Sequence, residues 1–273
     1  MDNRLGFHAT AVVAGLVFAA CVKVPVTGRL QMNLVPAATM ASLGKQSYKE
    51  TLAKAKQVEA GPDVDVLRRV GKRIARASGE DLDWSYALLD DPTINAWCLP
   101  GGYIGVYNGI LPAFQSEAGM AFVLGHEVGH ATARHGAERM STQLALVGGL
   151  AVLDAFLSGG TAMSNQERGA VMGAIGLGAE VGLILPFSRK HESEADIIGV
   201  MYMAKAGYPP GEAIALWDRM EKLGGKGGPA FLSTHPANDR RQDVIREWLP
   251  QARKRYERNK LKEDTKVRLW GKG

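Results

Sequence analysis

The pattern of apolar and polar positions predicts two helices followed by three short strands. A polar–apolar helical pattern runs from Thr39 to Glu59, and a second helix, with apolar residues three or four positions apart, runs from Asp63 to near Gly79. Three apolar runs bounded by turn residues are typical of strands: Trp84–Leu89, Ile94–Leu99 and Tyr103–Tyr107. Because the connections are short, we expect a small, mostly antiparallel sheet.

A further helix is predicted from Glu117 to Arg134. Proline is absent there, and Ala118, Phe122 and Val123 form an apolar stripe. Ser116, just before it, is a residue type preferred as a helix N-cap. The elements together predict an α+β domain that is mostly helical.

Downstream of Met140 the chain becomes apolar and rich in glycine, most clearly in Leu144–Leu157 and Gly169–Phe187. The first stretch is too short to span a bilayer, and both carry an acidic residue. We therefore expect a helical pair rather than a membrane span. Residues 144–187 could form a lid over a site, a fixed cover, or a hairpin that touches lipid.

Residues 1–20 are typical of a targeting segment. The run from Ala9 to Ala20 is predominantly apolar, has the length of a signal-peptide core and is too short to cross a membrane. It ends Val17-Phe18-Ala19-Ala20-Cys21, which resembles a bacterial lipobox with Phe18 in place of the usual aliphatic residue. We expect lipidation of Cys21; the alternative is cleavage after Ala20 and a soluble secreted protein.

The residues after Cys21 give further expectations about location. Residues 21–36 are predicted to be an extended tether, and Val22-Lys23 contains no aspartate, which resembles outer-membrane sorting. The protein is thus predicted to be periplasmic and anchored to the outer membrane. With Cys21 acylated, Cys98 is the remaining thiol, so no intramolecular disulfide can form.

Composition restricts the remaining function classes. The 273 residues are 46% hydrophobic and 22% charged, as in ordinary globular proteins. Much of the net charge of +5 lies after Arg240, including a basic tail at 259–273. Glutamates interrupt this basic run and no nucleic-acid motif accompanies it, so we expect a solvated face near an anionic membrane surface and no nucleic-acid partner. The folded domain is predicted to span 37–258.

The predicted helix Glu117–Arg134 contains the sequence Gly125-His126-Glu127-Val128-Gly129-His130. Two histidines four residues apart lie on one helix face, where two imidazole nitrogens can reach a single zinc ion. Glu127 flanks that position without occupying it, as a general base acting on water requires. The two glycines leave room for another element to approach the metal.

A catalytic zinc needs a third protein ligand, and the segment from Ser188 to Asp196 offers candidates on a helix that continues to Ala206. Glu192 and Asp196 share one face, so one can bind the metal while the other accepts the second N–H of a ligating histidine. Glu194 is expected to point elsewhere, and His191 lies off the Glu192/Asp196 face.

Several motifs in order resemble the HtpX-like and CaaX prenyl-protease family of gluzincin metallopeptidases, in its periplasmic lipoprotein branch. The motifs run through nearly all of the chain after Cys21. They are Val24-Pro25-Val26-Thr27-Gly28-Arg29, Asn95-Ala96 with Leu99-Pro100-Gly101-Gly102-Tyr103-Ile104, Leu124–His130, Ser188–Asp196 and Ser233-Thr234-His235-Pro236.

The resemblance implies a minigluzincin-like domain whose small sheet packs on the helix that carries the two histidines. It also implies a role for each matching residue. By this resemblance, His126, His130 and Glu192 hold one zinc ion per chain, and Glu127 is the general base. Asp196 lies behind the ligands, and His235 with Arg241 stabilises the oxyanion. Because Arg240 adjoins Arg241, the helix phase decides which of the two arginines points inward.

The resemblance further places an edge strand at Asn95, Ala96, Trp97 and Cys98, where an extended substrate adds by main-chain hydrogen bonds. Such recognition reads little sequence and suits unfolded or misfolded polypeptide substrates. Trp97 and Cys98 should face opposite sides of a regular strand. Cys98 is expected to be a packing residue, with a regulatory thiol as the alternative.

We therefore predict a zinc-dependent endopeptidase that hydrolyses peptide bonds in misfolded or misassembled cell-envelope proteins. The competing hypothesis is a chaperone or assembly factor for outer-membrane proteins whose zinc site is silent or occluded. A third possibility is a protease embedded in the membrane.

Overall fold

The computed structural model describes residues 21–147, 187–223, 230–235 and 240–260. The predicted targeting segment 1–20, most of the apolar segment 144–187 and most of the basic tail 259–273 lie outside the described residues. Within the described residues, no helix has both the length and the apolar character needed to cross a bilayer.

The described residues are mostly helical and contain a small sheet, which confirms the predicted fold class. The helices are α1 (Ala37–Lys54), α2 (Pro62–Ser78), α3 (Leu111–Phe114), α4 (Glu117–Thr132), α5 (His135–Val147), α6 (Arg189–Lys205), α7 (Glu212–Leu223), α8 (Ala230–Thr234) and α9 (Arg241–Asn259). The strands are β1 (Cys21–Lys23), β2 (Leu30–Met32), β3 (Gln57–Val58), β4 (Ser85–Leu89), β5 (Ala96–Leu99) and β6 (Tyr103–Tyr107).

The first predicted helix differs from the structure at its end. Helix α1 stops at Lys54, because Gln57 and Val58 leave the helix to pair with Leu89 and Leu88 of β4. The periodic pattern of apolar residues does not show that Gln57 and Val58 pair with a strand that comes much later in the sequence. The prediction therefore extended the helix to Glu59. Helix α2 begins with Pro62 in its first turn and ends before Gly79, close to the predicted bounds.

Four of the strands form a sheet in the order β3-β4-β6-β5. Two of its three pairings are antiparallel, as predicted, but β4 and β6 are parallel. Strand β5 reverses through Gly101 and Gly102, at φ 94° and 96°, and pairs with one edge of β6, which leaves the other edge for β4. This order puts β5 at an edge of the sheet.

Helix α4 lies at the centre of the molecule, between the sheet and the other long helices. Ser116 caps it by accepting a hydrogen bond from the Gly119 amide at 3.1 Å, as predicted. Its fully buried side chains include Met120, Phe122 and Leu124. The helix packs against α2, β5 and α6, so side chains that project from α4 toward α6 lie deep in the protein.

The segment 21–36, predicted to be an extended tether, instead contains the antiparallel hairpin β1–β2. This hairpin is docked on the domain: the Gln31 side-chain amide donates to the Ala133 carbonyl at 2.5 Å, and the Leu34 amide donates to Ser141 Oγ at 2.8 Å. The local sequence pattern does not show contacts between this segment and residues more than 100 positions away. For that reason the sequence suggested a tether.

Candidate metal centre

The two histidines of α4 are buried and directed to one point. His126 and His130 are one turn apart, and their Nε2 atoms are 3.1 Å apart. Burial lowers the pKa of His130 well below its usual value, so this imidazole is neutral and its nitrogen can serve as a metal donor. The helix spacing therefore produces the two-histidine face that the sequence predicted.

Helix α6 brings Glu192 to the same point. Glu192 Oε2 lies 3.4 Å from His126 Nε2, and Glu192 Oε1 lies 3.4 Å from His130 Nε2. The side chain is fully buried. Ser188 starts this helix by accepting from the His191 amide at 3.2 Å. The structure thus selects Glu192, rather than Asp196, as the carboxylate that faces the imidazole pair.

Close helix contact makes this convergence possible. A Cβ atom placed on Gly125 would lie 2.8 Å from the Gly199 carbonyl oxygen, and one on Gly199 would lie 2.8 Å from the His126 amide nitrogen. Helices α4 and α6 therefore touch backbone to backbone at this crossing. The glycine beside the first histidine does admit another element, as the sequence suggested.

A fourth donor, His235, joins the group. Its Nδ1 atom is 3.2 Å from His126 Nε2 and 3.2 Å from Glu192 Oε1. One donor atom from each of these residues and from His130 lies within 4.8 Å of the others. Tetrahedral zinc bound at about 2.0–2.1 Å separates its donor atoms by about 3.3 Å, which matches this arrangement.

The donor set also fits zinc chemically. Imidazole nitrogen and carboxylate oxygen are common zinc ligands. Glu192 Oε2 and Glu127 Oε1 are buried and accept no well-aligned hydrogen bond among the described residues, although Arg241 Nη1 lies 2.9 Å from the first and His235 Nε2 lies 3.3 Å from the second. A cation bound at Glu192 would complete the interactions of that carboxylate. The sequence predicted three protein donors and an open position, and the structure adds His235 at the fourth.

Asp196 and Arg241 lie behind the donor atoms. Asp196 Oδ1 accepts from His126 Nδ1 at 2.8 Å, in the position that helical spacing predicted. Arg241 donates to both Asp196 oxygens, at 2.6 and 2.8 Å, and its Nη1 is 2.9 Å from Glu192 Oε2. The guanidinium therefore orients two carboxylates of the site; its predicted part in oxyanion stabilisation stays a prediction.

Glu127 lies beside the donor group but outside it. Burial is the main cause that raises the pKa of this carboxyl to about 7, a value suited to exchanging protons near neutral pH. The Cys98 amide donates a hydrogen bond to it, and His235 Nε2 lies 3.3 Å from Oε1. The general base predicted from the sequence is therefore positioned between the donor group and strand β5.

Strand β5 supplies three of the four predicted substrate-binding residues, and Asn95 comes directly before it. Asn95 and Ala96 are buried, whereas Trp97 and Cys98 are half-buried. Among the described strands, β5 has no partner on the side away from β6, so an extended chain added there would run past Glu127 and the donor group. The Cys98 thiol is not part of that group, and burial raises its pKa well above the usual value.

A cavity of about 100 Å³ opens between the donor group and the end of β5. His130, Cys98 and Pro100 form the side nearest the site, and Met40 and Ala41 of α1 form part of the opposite side. Most of its lining is apolar. The cavity has the position and character of a recess for one apolar side chain of a bound polypeptide.

Sequence reasoning missed three polar residues near His130: His135, Glu194 and Arg29. Glu194 lies outside the donor group, as predicted, but it is buried and contacts His135 at 3.1 Å and Arg29 at 2.8 Å. His135 follows His130 by five residues across a turn in which Arg134 has a φ of 55°. Helical spacing cannot predict a contact made through such a turn. His191 lies outside the donor group and pairs with Glu138.

Comparisons with known proteins agree with this chemistry. The profile described as "Peptidase family M48" matches residues 64–249. Mitochondrial metalloendopeptidase OMA1 of Schizosaccharomyces pombe is 36% identical over 270 residues, covering 94% of this chain and 75% of that protein. The Arabidopsis thaliana protein of the same name is 38% identical over 166 residues, covering 61% of this chain and 32% of that protein.

A bacterial relative carries a different name. The putative beta-barrel assembly-enhancing protease of Vibrio cholerae is 30% identical over 195 residues, which cover 67% of this chain and 38% of that protein.

Proposed function

Because this chain belongs to peptidase family M48 and is therefore a zinc metalloendopeptidase, we propose that it hydrolyses peptide bonds in misfolded or misassembled proteins of a bacterial cell envelope. The observation that carries the proposal is the buried donor group with Glu127 at its side, next to the strand β5, which is at the edge of the sheet that the described residues form. Main-chain pairing along that edge reads little sequence, which suits substrates defined by their unfolded state.

Each residue of the site has a separate role in the proposed hydrolysis. His126, His130 and Glu192 would hold zinc, which polarises the substrate carbonyl and lowers the pKa of water. The Glu127 carboxylate accepts a proton from the attacking water and then gives it to the leaving amine. The Cys98 amide holds this carboxylate in place, and the edge of β5 aligns the substrate backbone.

The substitution Glu127→Gln tests this assignment. It should lower cleavage of an unfolded protein substrate by about 10²–10⁴-fold, because the amide cannot accept the proton. Zinc content, measured by atomic emission on the same sample, should equal that of the wild type because Glu127 lies outside the donor group. Equal cleavage by wild type and variant would exclude this mechanism.

The proposed location rests on the amino-terminal sequence. We place the chain in the periplasmic lipoprotein branch of the HtpX-like and CaaX prenyl-protease family, anchored to the outer membrane by lipidated Cys21. Support comes from the lipobox-like Val17–Cys21 and from similarity to proteins named beta-barrel assembly-enhancing protease in Vibrio cholerae and Yersinia pestis. Radiolabelled palmitate should enter the wild type and not Cys21→Ser; a labelled variant would contradict the assignment.

One observation favours a second candidate function, a chaperone or assembly factor with an occluded zinc site. His235 supplies a fourth donor, and zinc sites closed by four protein ligands are typical of structural rather than catalytic centres. The two functions differ in one genetic result. If the protein acts by proteolysis, Glu127→Gln should fail to complement a deletion strain; an assembly factor would still complement it.

A further inference from the structure

The second metal-binding histidine of α4, His130, is held from behind by a chain of buried polar side chains that reaches the amino-terminal hairpin. His130 Nδ1 is 2.9 Å from His135 Nδ1, and His135 Nε2 is 3.1 Å from Glu194 Oε2. Glu194 accepts in turn from Arg29 Nε at 2.8 Å and from Thr27 Oγ1 at 2.5 Å. Each link has hydrogen-bond length, and the two middle side chains are buried.

The direction of every hydrogen in this chain follows from metal binding by His130. Its Nε2 faces the donor group, 3.4 Å from Glu192 Oε1, so that nitrogen must be free of hydrogen and Nδ1 must carry the proton. His135 Nδ1 then accepts, which leaves the hydrogen of a neutral His135 on Nε2. That hydrogen points to Glu194, which accepts as a carboxylate. One tautomer of each histidine therefore satisfies all the contacts.

The other metal-binding histidine has an equivalent arrangement. His126 donates from Nδ1 to Asp196, and Arg241 holds Asp196 from the far side. Glu194 and Arg29 have the same relation to His130, with His135 inserted as an additional link. Both imidazoles are thus oriented by a carboxylate that an arginine fixes in place.

At the hairpin end of this series of hydrogen bonds, Arg29 is held by further contacts and by a strained turn. Arg29 also donates to both oxygens of Glu138, at 2.7 and 2.6 Å, so its guanidinium joins α5 to α6. The turn that presents Thr27 and Arg29 holds Val26 at a φ of 68°, which is unfavourable for a β-branched residue. A strained turn persists where surrounding contacts over-determine it. These residues belong to the motif Val24–Arg29, which the proposed catalytic steps leave without a role.

We propose that His135, Glu194 and Arg29 are positioning residues that fix the tautomer and ring orientation of His130 and thereby tighten zinc binding. The inference rests on zinc ligation by His130 and is independent of the cellular location and the substrate. Partners of this kind behind a metal ligand contribute about 10- to 100-fold to metal affinity.

The tautomers can be read directly by long-range ¹H–¹⁵N NMR correlation on the zinc-loaded protein, since the chain contains only six histidines. We expect His130 to carry hydrogen on Nδ1 alone and His135 to carry it on Nε2 alone. A His135 protonated on Nδ1 could not accept from His130, and that result would overturn the proposal.

Zinc affinity, measured by competition with a chromophoric chelator, provides the second test. His135→Phe keeps the ring shape but removes the acceptor and should weaken zinc binding by about 10- to 100-fold. His135→Asn should recover most of that loss, because its Oδ1 takes the place of Nδ1. His130→Ala serves as the reference for loss of a ligand; if it binds zinc like the wild type, the metal site itself is wrongly assigned.

Glu138→Gln is the matched control for a merely structural effect. It removes the charge of a half-buried partner of Arg29 but leaves the contacts from His130 through His135 to Glu194 intact. We expect it to lower the thermal stability of the zinc-free protein while its zinc affinity stays within about twofold of the wild type. If the Phe and Asn variants weaken zinc binding equally, or if Glu138→Gln weakens it as much as His135→Phe, the positioning role is wrong.

Discussion

At the residue scale, the site is decided by which atoms meet rather than by which residue types are present. His126 and His130 offer Nε2 to the centre and Nδ1 to supporting side chains. Glu127 is adjacent to His126 in sequence and yet faces a different partner, the Cys98 amide. One residue step along the helix thus separates a metal donor from a proton acceptor by about 100° around the axis.

The place of His235 gives a prediction at this scale. If Nδ1 is a fourth zinc donor, His235→Ala should weaken zinc binding by about 10-fold or more, as measured by chelator competition. A residue that acts only on the oxyanion would instead lower kcat by about 10²–10³-fold and leave zinc affinity unchanged. The comparison of zinc affinity with kcat therefore separates the observed contact from the role predicted by resemblance.

At the scale of elements, the crossing of α4 and α6 places Glu192 within reach of the histidines. Backbone contact at Gly125 and Gly199 sets the distance between the two helices, and both metal-facing side chains of α4 depend on it. Strand β5 contributes on the other side of α4, where the edge that no described strand pairs with lies beside Glu127. Helices α4 and α6 thus supply metal donors, α4 also supplies the general base, and β5 supplies the strand edge proposed to bind the substrate.

Gly199→Ala should disturb this crossing. The added methyl group would lie 2.8 Å from the His126 amide nitrogen and 3.1 Å from its Cα, so the backbone of one helix must move. We expect a loss of about 1–3 kcal/mol in the free energy of unfolding and weaker zinc binding. Denaturant titration of the zinc-free protein measures the first quantity.

Gly211→Ala is the matched control, since its added Cβ meets no atom within 4 Å. Its free energy of unfolding should fall by less than about 1 kcal/mol. If Gly199→Ala and Gly211→Ala have the same free energy of unfolding, α4 and α6 tolerate a larger separation at Gly199.

The cavity between α1 and the donor group gives a second prediction for the elements. Ala41→Trp should fill it from the half-exposed surface of α1 and raise KM about 10-fold for peptides with a large apolar residue beside the cleaved bond, with little change in kcat. Ala38→Trp, on the same helix but outside the cavity, should leave KM unchanged. The measurement is the KM of each variant, from steady-state kinetics on the same peptides. Equal KM values for both variants would argue against substrate binding in this cavity.

At the scale of the whole molecule, the amino-terminal hairpin is joined to the site through ion pairs. Arg29 contacts Glu194 on α6 and Glu138 on α5, and Gln31 contacts the loop that follows α4. The residues just after the predicted lipid attachment site therefore belong to the folded domain.

These ion pairs predict a dependence of stability on pH. Burial alone would raise the pKa of Glu138, but hydrogen bonds from His191 and Arg29 lower it from 4.5 to about 2. Because the folded-state pKa is depressed, the carboxylate stabilises the fold above pH 4.5, and this contribution is lost as pH falls from 4.5 toward 2. We expect about 1–2 kcal/mol at neutral pH, after allowance for partial exposure.

The measurement is the difference in free energy of unfolding between wild type and Glu138→Gln, from pH 7 to pH 3. Taking the difference removes effects of pH that the two proteins share. The difference should be constant near neutral pH and shrink below about pH 4.5. A difference that is independent of pH would mean that the charge of Glu138 does not stabilise docking of the hairpin.

The sequence by itself determined the features that depend on neighbouring residues. The one-turn spacing of His126 and His130, the cap at Ser116 and the strand Tyr103–Tyr107 all follow from local periodicity and residue type, and the structure has them. Only the tertiary structure decided that β4 and β6 run parallel, that His235 joins the donor group and that Arg29 supports His130 through Glu194 and His135. Those contacts join residues up to 165 positions apart, and their geometry is set by how the helices pack, which no local pattern encodes.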